Sequence, residues 1–200
     1  MLTIHHLKNS RSQSIVWLAE ELGMPYKLES YDRAPGAPAP PAYKALHPLG
    51  RAPLIRDGEL LLVETGAIIE YMVTKYGGGR LAPKPDSADY PLYLLWLHFA
   101  EGSAMPHQVN LRTLDAGGDT ANPERARATA RVDQDFAFIS DALAKAPYFA
   151  GGSFTAADIA MTIPLRFALS KRDAAAYPHL AAYTARIAER PAFKKAASVG

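Results

Sequence analysis

The chain has 200 residues, 48% of them apolar, and 22 basic side chains nearly balance 20 acidic ones for a net charge of +2. That size and composition suit one large domain or two small ones, and so even a charge mixture leaves no footprint for nucleic acid or an anionic membrane surface. The sequence contains no cysteine, which excludes disulfides, thiolate metal sites and catalysis by the protein's own thiol. Polar residues arrive by Lys8, so no signal-peptide pattern is expected, and no apolar run approaches the roughly 20 residues that span a bilayer. A cytoplasmic protein is the expectation.

Leu2 to Leu7 reads as a short strand. The helix after it places Ile15, Leu18, Ala19 and Leu22 on one face and stops at Gly23 ahead of Pro25. At its start, Ser10 with Gln13 reads as a capping box, which would leave backbone N–H groups and a positive dipole end facing out of a strand-to-helix turn. Tyr26 to Tyr31 alternates as a second strand, and strand, helix, strand in about thirty residues is a βαβ unit with parallel strands. Ala34 to Pro41 is a proline-rich loop, followed by a possible helical turn over 42–47. Pro53–Arg56 and Glu59–Val63 flank Asp57-Gly58, a two-residue hairpin signal. Ile68, Ile69, Met72 and Val73 then mark a helix that runs out at Tyr76.

Three glycines from Gly77 and the stretch Leu81 to Pro85 form the clearest boundary. The expected division is a mixed domain over 1–77, a linker over 78–85 and an all-helical domain over 86–200. In the second half, one helix is expected from Asp86 or Ser87 through Trp96 and Phe99, with Pro106 kinking or ending it. Asn122-Pro123 caps a second, bearing Val132, Phe136, Ile139 and Leu143. Thr155 with Asp158 forms a capping box with Phe154 and Ile159 as its hydrophobic staple, and Pro178 opens a further helix. Lys194-Lys195 reads as a solvated helix end.

The six histidines do not make a metal site. His5 and His6 are adjacent in a strand and point to opposite faces, and the other four are scattered without ligand spacing. Tyr90, Tyr93, Trp96 and Phe99 read mainly as core.

Four segments in register carry a resemblance that covers essentially the whole chain. His47-Pro48-Leu49-Gly50-Arg51-Ala52-Pro53-Leu54 resembles the Asn-Pro-x-Gly-Lys-Val-Pro segment of the cytosolic glutathione S-transferases. Glu64-Thr65-Gly66-Ala67-Ile68 resembles that family's Glu-Ser-x-Ala-Ile segment. Ser10 before a helix resembles its Ser-type, bacterial-like active-site turn, and Phe154 to Asp158 its helical capping motif. The resemblance implies an α/β thioredoxin-like N-terminal domain (β-α-β, β-β-α) followed by an all-α C-terminal domain. It also implies a transferase that activates the glutathione thiol for attack on a small hydrophobic electrophile, in the manner of detoxification enzymes, with glutathione as co-substrate and no permanently bound cofactor.

Residue by residue, the resemblance implies a cis peptide before Pro53, with the Ala52 backbone pairing to the cysteinyl part of glutathione. Thr65 would meet the γ-glutamyl carboxylate, and Glu64 would orient that loop or meet the ammonium. Arg51 or Arg11 would take the glycyl carboxylate, since the position where many members carry a Lys, His or Gln falls in Ala39-Pro40. Ser10 would donate to the sulfur, with Asn9 and Ser12 as rivals. A homodimer is implied, as are two alternatives: a glutathione-dependent peroxidase or isomerase, and a non-catalytic subunit with the same fold.

Overall fold

The computed structural model describes residues 1–169 and 177–199, and the chain divides into two compact units, residues 1–82 with 187–200 and residues 83–186. In the first unit, β1 (Leu2–Leu7), α1 (Ser12–Leu22) and β2 (Tyr26–Tyr31) are followed by a short helix α2 (Pro41–Lys44), the hairpin β3 (Leu54–Asp57) and β4 (Leu60–Val63), and α3 (Thr65–Tyr76). The strand order is β2-β1-β3-β4. The β1–β2 pair is parallel, from Leu2 opposite Tyr26 to Leu7 opposite Tyr31, as a helical crossover requires. β3 runs antiparallel to both neighbours, with Leu54 opposite His5 on one side and Val63 on the other. This is the β-α-β, β-β-α order of the thioredoxin-like fold.

The apolar face of α1 is fully buried: Ile15, Leu18 and Ala19 have no exposed surface and Leu22 almost none. Gly23 ends the helix at φ +59°, donating to Ala19 and Glu20 carbonyls, a left-handed stop that glycine adopts without strain. The last helix, α9 (Pro191–Ala197), belongs to this unit and packs on α1. Arg190 grips Glu21 through two hydrogen bonds of 2.6 and 2.7 Å. Lys195 pairs with Glu20 at 2.8 Å, and Phe193 meets the Trp17 ring edge-on. Residues 187–200 therefore sit with the mixed sheet, whereas the sequence assigned everything from 86 onward to the helical part. The lysine pair read as solvated has carboxylate partners, Lys194 at Glu189 and Lys195 at Glu20.

The hairpin turn is one residue later than expected. Asp57 pairs with Leu60, so Gly58-Glu59 make the turn and Gly58 takes φ +59°. Asp57 is held in the strand because its carboxylate accepts from Lys75 and Tyr71, each at 2.7 Å, and from Tyr76. These donors, the Lys75 ammonium first, hold its carboxyl well below the usual carboxylate range.

The second unit is helical. It contains α4 (Tyr90–Phe99), a π-helical turn (Ala100–Ala104), α5 (Met105–Ala116), α6 (Pro123–Lys145), α7 (Ala156–Leu169) and most of α8 (Pro178–Ala188). Pro106 neither kinks nor ends the helix: the chain widens into the π turn before it, and Pro106 falls in the first turn of α5, where a missing N–H costs nothing. Asn122 caps α6 as expected, its Oδ1 accepting from Glu124 N–H at 2.9 Å. Trp96 is buried with the Phe149 ring at 4.7 Å, and the exposed Phe138 ring stacks on it at 4.8 Å. No described helix is long and apolar enough to cross a membrane.

The start of α7 is saturated. Asp158, without exposed surface, accepts from Thr155 N–H at 2.8 Å, Thr155 Oγ1 at 3.2 Å, Phe149 N–H at 3.1 Å and the Tyr183 hydroxyl at 3.2 Å. The reciprocal half of the expected box differs: Thr155 Oγ1 donates to the carboxylate rather than receiving the Asp158 N–H, which reaches Thr155 O instead at 3.1 Å. Burial pushes the Asp158 carboxyl up to about 6, and these four donors pull against that rise.

Candidate functional site

Sheet register brings three separate stretches to one end of the first unit. Leu54 lies opposite both His5 and Val63. Continuing the ladder one and two residues brings Pro53 and Ala52 level with the end of β1 on one side and with Glu64-Thr65 on the other. The Asn9–Ser14 turn, the loop before β3 and the start of α3 therefore share an edge.

The loop before β3 is shaped by its own residues. His47 Nδ1 accepts from Leu49 N–H at 3.2 Å, and Gly50 N–H reaches His47 O at 2.9 Å. Gly50 takes φ +54° with Lys44 beside it, where a Cβ would come within 3.1 Å of Lys44 Cγ. The Ala52–Pro53 peptide is cis. Pro53 is buried and Ala52 half-buried. Among the described residues Ala52 makes no backbone hydrogen bond, because β1 has already turned its polar groups elsewhere: Leu7 N–H goes to Ser12 Oγ at 3.0 Å and Leu7 O has the Ser10 and Ser12 hydroxyls within hydrogen-bond reach. A strand edge is thus left open at Ala52, the kind of backbone that pairs with an extended peptide. Arg51, next to it, is exposed.

At the start of α3, Glu64 is exposed with φ +76° and ψ 123°, a strained backbone for a residue with a side chain. Its carbonyl takes the first helical bond, from Ile68 N–H at 3.0 Å, so the N–H groups of residues 65–67 precede the ladder and point out of the helix start. Thr65 is buried, and its hydroxyl has no partner among the described residues. Together these make a small, neutral, anion-accepting nest.

The Ser10 turn differs from the expected capping box. α1 begins at Ser12 with Arg11 at the N-cap position and no side-chain cap. Ser10 Oγ accepts from Ser12 N–H at 3.2 Å, not from Gln13, and the Gln13 amide donates to Ala196 O at 3.3 Å in α9. A local i, i+3 reading fails here because docked α9 offers Gln13 a different acceptor. Ser10 is half-buried; its hydroxyl lies 2.6 Å from Leu7 O and 2.8 Å from Ser12 Oγ. Ser12 has no exposed surface, and its oxygen is also 2.9 Å from His6 Nδ1. Asn9 is exposed in a left-handed conformation, φ +57°, with its amide donating to Arg33 O at 2.9 Å. Arg33 in return holds the turn, through Nε to Lys8 O at 3.1 Å and through a terminal nitrogen to Asn9 O. Arg11 is half-buried, and its carbonyl accepts from Ser14 N–H and Oγ at 3.1 and 2.8 Å.

The Ala39 position, where a cation was absent from the sequence pattern, packs against Leu7, Tyr43 and Leu54 and is part of the apolar layer. Lys44, beside Gly50, is a cation near this loop that the sequence did not single out; nothing local marks it, since the approach depends on the turn geometry of Gly50. His6 was likewise passed over, as one of a strand pair without metal spacing. Among the described residues no group of His, Asp and Glu could hold a metal ion.

A four-stranded mixed sheet with a cis-proline at an open edge and a helix start beside it, followed by a helical unit, defines a protein of the thioredoxin-like class. Residues 3–74 match the glutathione S-transferase N-terminal domain and residues 122–186 the C-terminal domain. The chain is 37% identical to glutathione S-transferase 3 of Schizosaccharomyces pombe, over 98% of its own length and 87% of that protein. It superimposes on a glutathione S-transferase from Actinobacillus pleuropneumoniae with a TM-score of 0.91 at 33% identity, covering 98% of this chain and 91% of that one. A theta class glutathione S-transferase from Xanthomonas axonopodis pv. citri, solved with glutathione bound, gives 0.75 at 29% identity, with 98% and 96% covered. The chain belongs to the glutathione S-transferase family, whose members are transferases with glutathione as a substrate.

Proposed function

We propose that the first unit holds glutathione along this sheet edge and that Ser10 donates its hydroxyl proton to the glutathione sulfur. The observation that carries the reading is the coincidence, at one edge, of the Ala52 backbone and the Thr65 hydroxyl, both without a partner among the described residues, and the half-exposed Ser10. The Ala52 N–H and C=O pair with the cysteinyl residue as a strand would. Thr65 and the N–H groups that follow it receive the γ-glutamyl carboxylate, and exposed Glu64 meets the ammonium. Arg51 takes the glycyl carboxylate in place of a cation at Ala39; Arg11 is the second candidate.

A free thiol with pKa near 8.5 is only a few per cent ionised at pH 7. A hydroxyl donor and the N-terminus of α1 both favour the anion. The thiolate sulfur then forms a bond to an electrophilic carbon of a small hydrophobic substrate; the bond broken there is the one to a leaving group, which departs with its electron pair as an anion, and the thiol proton passes to solvent. Ser10 is preferred over Ser12, which has no exposed surface, and over Asn9, whose amide is engaged by Arg33.

The active form is proposed to be a cytoplasmic homodimer. Support for a dimer comes from apolar side chains that each unit leaves in water, Leu60 at 40% exposure in the first, and Leu92 at 43% and Leu95 at 41% on the outer face of α4 in the second. Calorimetric titration with glutathione tests the binding half: saturable heat at millimolar ligand or below is expected, and its absence overturns the enzyme reading. A monomeric mass in light scattering at micromolar protein overturns the dimer.

A further inference from the structure

The Ser10 hydroxyl has a competing duty. It sits 2.6 Å from Leu7 O, the carbonyl that ends β1, and donates inward to it. One hydroxyl carries one proton. Turning that proton out to a sulfur removes a donor from a buried carbonyl, a loss that disfavours the turn unless another proton arrives. Ser12 Oγ is the nearby source, 3.1 Å from the same carbonyl and 2.8 Å from Ser10 Oγ.

Whether Ser12 has a proton to spare is decided by His6. Ser12 Oγ already accepts Leu7 N–H at 3.0 Å and lies 2.9 Å from His6 Nδ1. If Nδ1 is bare, Ser12 donates to the ring, and one proton (that of Ser10) remains for two acceptors, Leu7 O and the sulfur. If Nδ1 carries hydrogen, the ring donates to Ser12 and fills its second acceptor site. Ser12 then keeps its own proton for the turn, and two protons serve two acceptors. His6 and Ser12 have no exposed surface, so water does not supply the missing donor.

We propose that Ser12 is a positioning residue, which donates to Leu7 O as the Ser10 hydroxyl turns out to the sulfur, and that a hydrogen on His6 Nδ1 keeps the Ser12 proton available for this. The proposal rests on the Ser10 reading above. Neither residue touches glutathione; both act through Ser10. In the unliganded turn the Ser10 proton rests on Leu7 O. A sulfur anion is a stronger acceptor than a neutral carbonyl and draws it outward, and the Ser12 proton moves from the Ser10 side to Leu7 O. Four groups within hydrogen-bond reach thus form a two-position device, set by which of two hydroxyls holds one carbonyl.

The test measures thiolate absorbance of protein-bound glutathione against pH, with the dissociation constant for glutathione, in the full chain and in Ser10→Ala, Ser12→Ala, Ser12→Thr and the double alanine variant. Ser12→Ala is expected to lower the thiolate fraction and kcat at neutral pH about three- to tenfold, half a unit to one unit of thiol pKa, with glutathione affinity nearly unchanged. Ser12→Thr, which retains the hydroxyl, recovers most of the loss, and Ser12→Ala adds nothing in the Ser10→Ala background. A Ser12→Ala variant that binds glutathione but keeps the normal thiolate midpoint overturns the proposal while leaving Ser10 in place. A Ser10→Ala variant with an unshifted midpoint overturns the Ser10 reading itself. Because Ser12→Ala also strips Leu7 N–H of its acceptor and could disturb folding, nitrogen-15 NMR of the His6 ring gives an independent readout in the unaltered protein. A hydrogen on Nδ1 is expected, and a bare Nδ1 overturns the part assigned to His6.

Discussion

Helices α1 and α7 are both announced by a hydroxyl residue with a polar residue three positions later, Ser10 with Gln13 and Thr155 with Asp158. In the helical unit, the second partner is a carboxylate that draws in every donor within reach, two backbone N–H groups and two hydroxyls, and is sealed from water. In the first unit, Gln13 turns away to Ala196 O, and Ser10 is left with Ser12 and Leu7 in a network where acceptors and donors can be rearranged. One helix start is locked for stability. The other is held, by Arg33 and the buried Ser12, but keeps a half-exposed hydroxyl whose direction is open to a ligand. The difference lies in whether the third residue after the hydroxyl satisfies the turn or leaves it.

The largest effect expected from this contrast is on Asp158. Asp158→Ala leaves Phe149 N–H and Thr155 N–H without their acceptor in a dry site and takes from the Tyr183 hydroxyl its carboxylate partner, at about 3–5 kcal/mol after partial relaxation. Denaturant unfolding with unchanged m-value checks this; a loss below about 1 kcal/mol would show that the cap does not lock the helix start. Thr155→Ala removes a single hydroxyl donor and costs about 1 kcal/mol by the same measurement.

In the first unit, loss of function should exceed loss of stability. Thr65→Val keeps the shape and removes a hydroxyl that has no partner among the described residues, so melting changes little while glutathione affinity falls roughly tenfold, about 1.4 kcal/mol. Equal losses in both would mean that Thr65 is an ordinary helix start. Asp57 supplies an internal control, a locked carboxylate in the unit that carries the open turn. Its folded pKa lies below the unfolded value, so its contribution is fully present above the unfolded carboxylate range and is lost as pH falls below about 4. Asp57→Asn should destabilise by about 1–2 kcal/mol near neutral pH and flatten the acid limb of the stability curve, without altering glutathione affinity.

What the sequence disclosed follows the same division between local and distant causes. The buried faces of α1, α3 and α6 were legible because each rests on its own 3.6-residue repeat, and the parallel β1–β2 pair because a helical crossover leaves no other arrangement. The Asn122 cap and the Thr155–Asp158 pair were legible because donor and acceptor are two or three residues apart. The hairpin turn was displaced by one residue because Tyr71, Lys75 and Tyr76 of α3 hold Asp57 in its strand, a contact from outside the turn. Pro106 was read as a break because the π turn that accommodates it has no sequence mark. The docking of α9, through Arg190 on Glu21 and Phe193 on Trp17, joins residues about 170 apart and leaves no local trace. At the site, Ala52, Thr65 and Ser10 could be singled out through family motifs. The roles of Leu7 O and His6 depend on how β1 ends, and periodicity does not report that.

The role proposed for Ser10 is to hold the glutathione sulfur as an anion. Its most direct test is the pH titration of thiolate absorbance for glutathione bound to the full chain and to its Ser10→Ala variant. A midpoint at least about one unit below that of free glutathione is expected for the unaltered chain, with most of that shift returned in the variant. Identical midpoints in the two proteins, with glutathione bound to both, would contradict it.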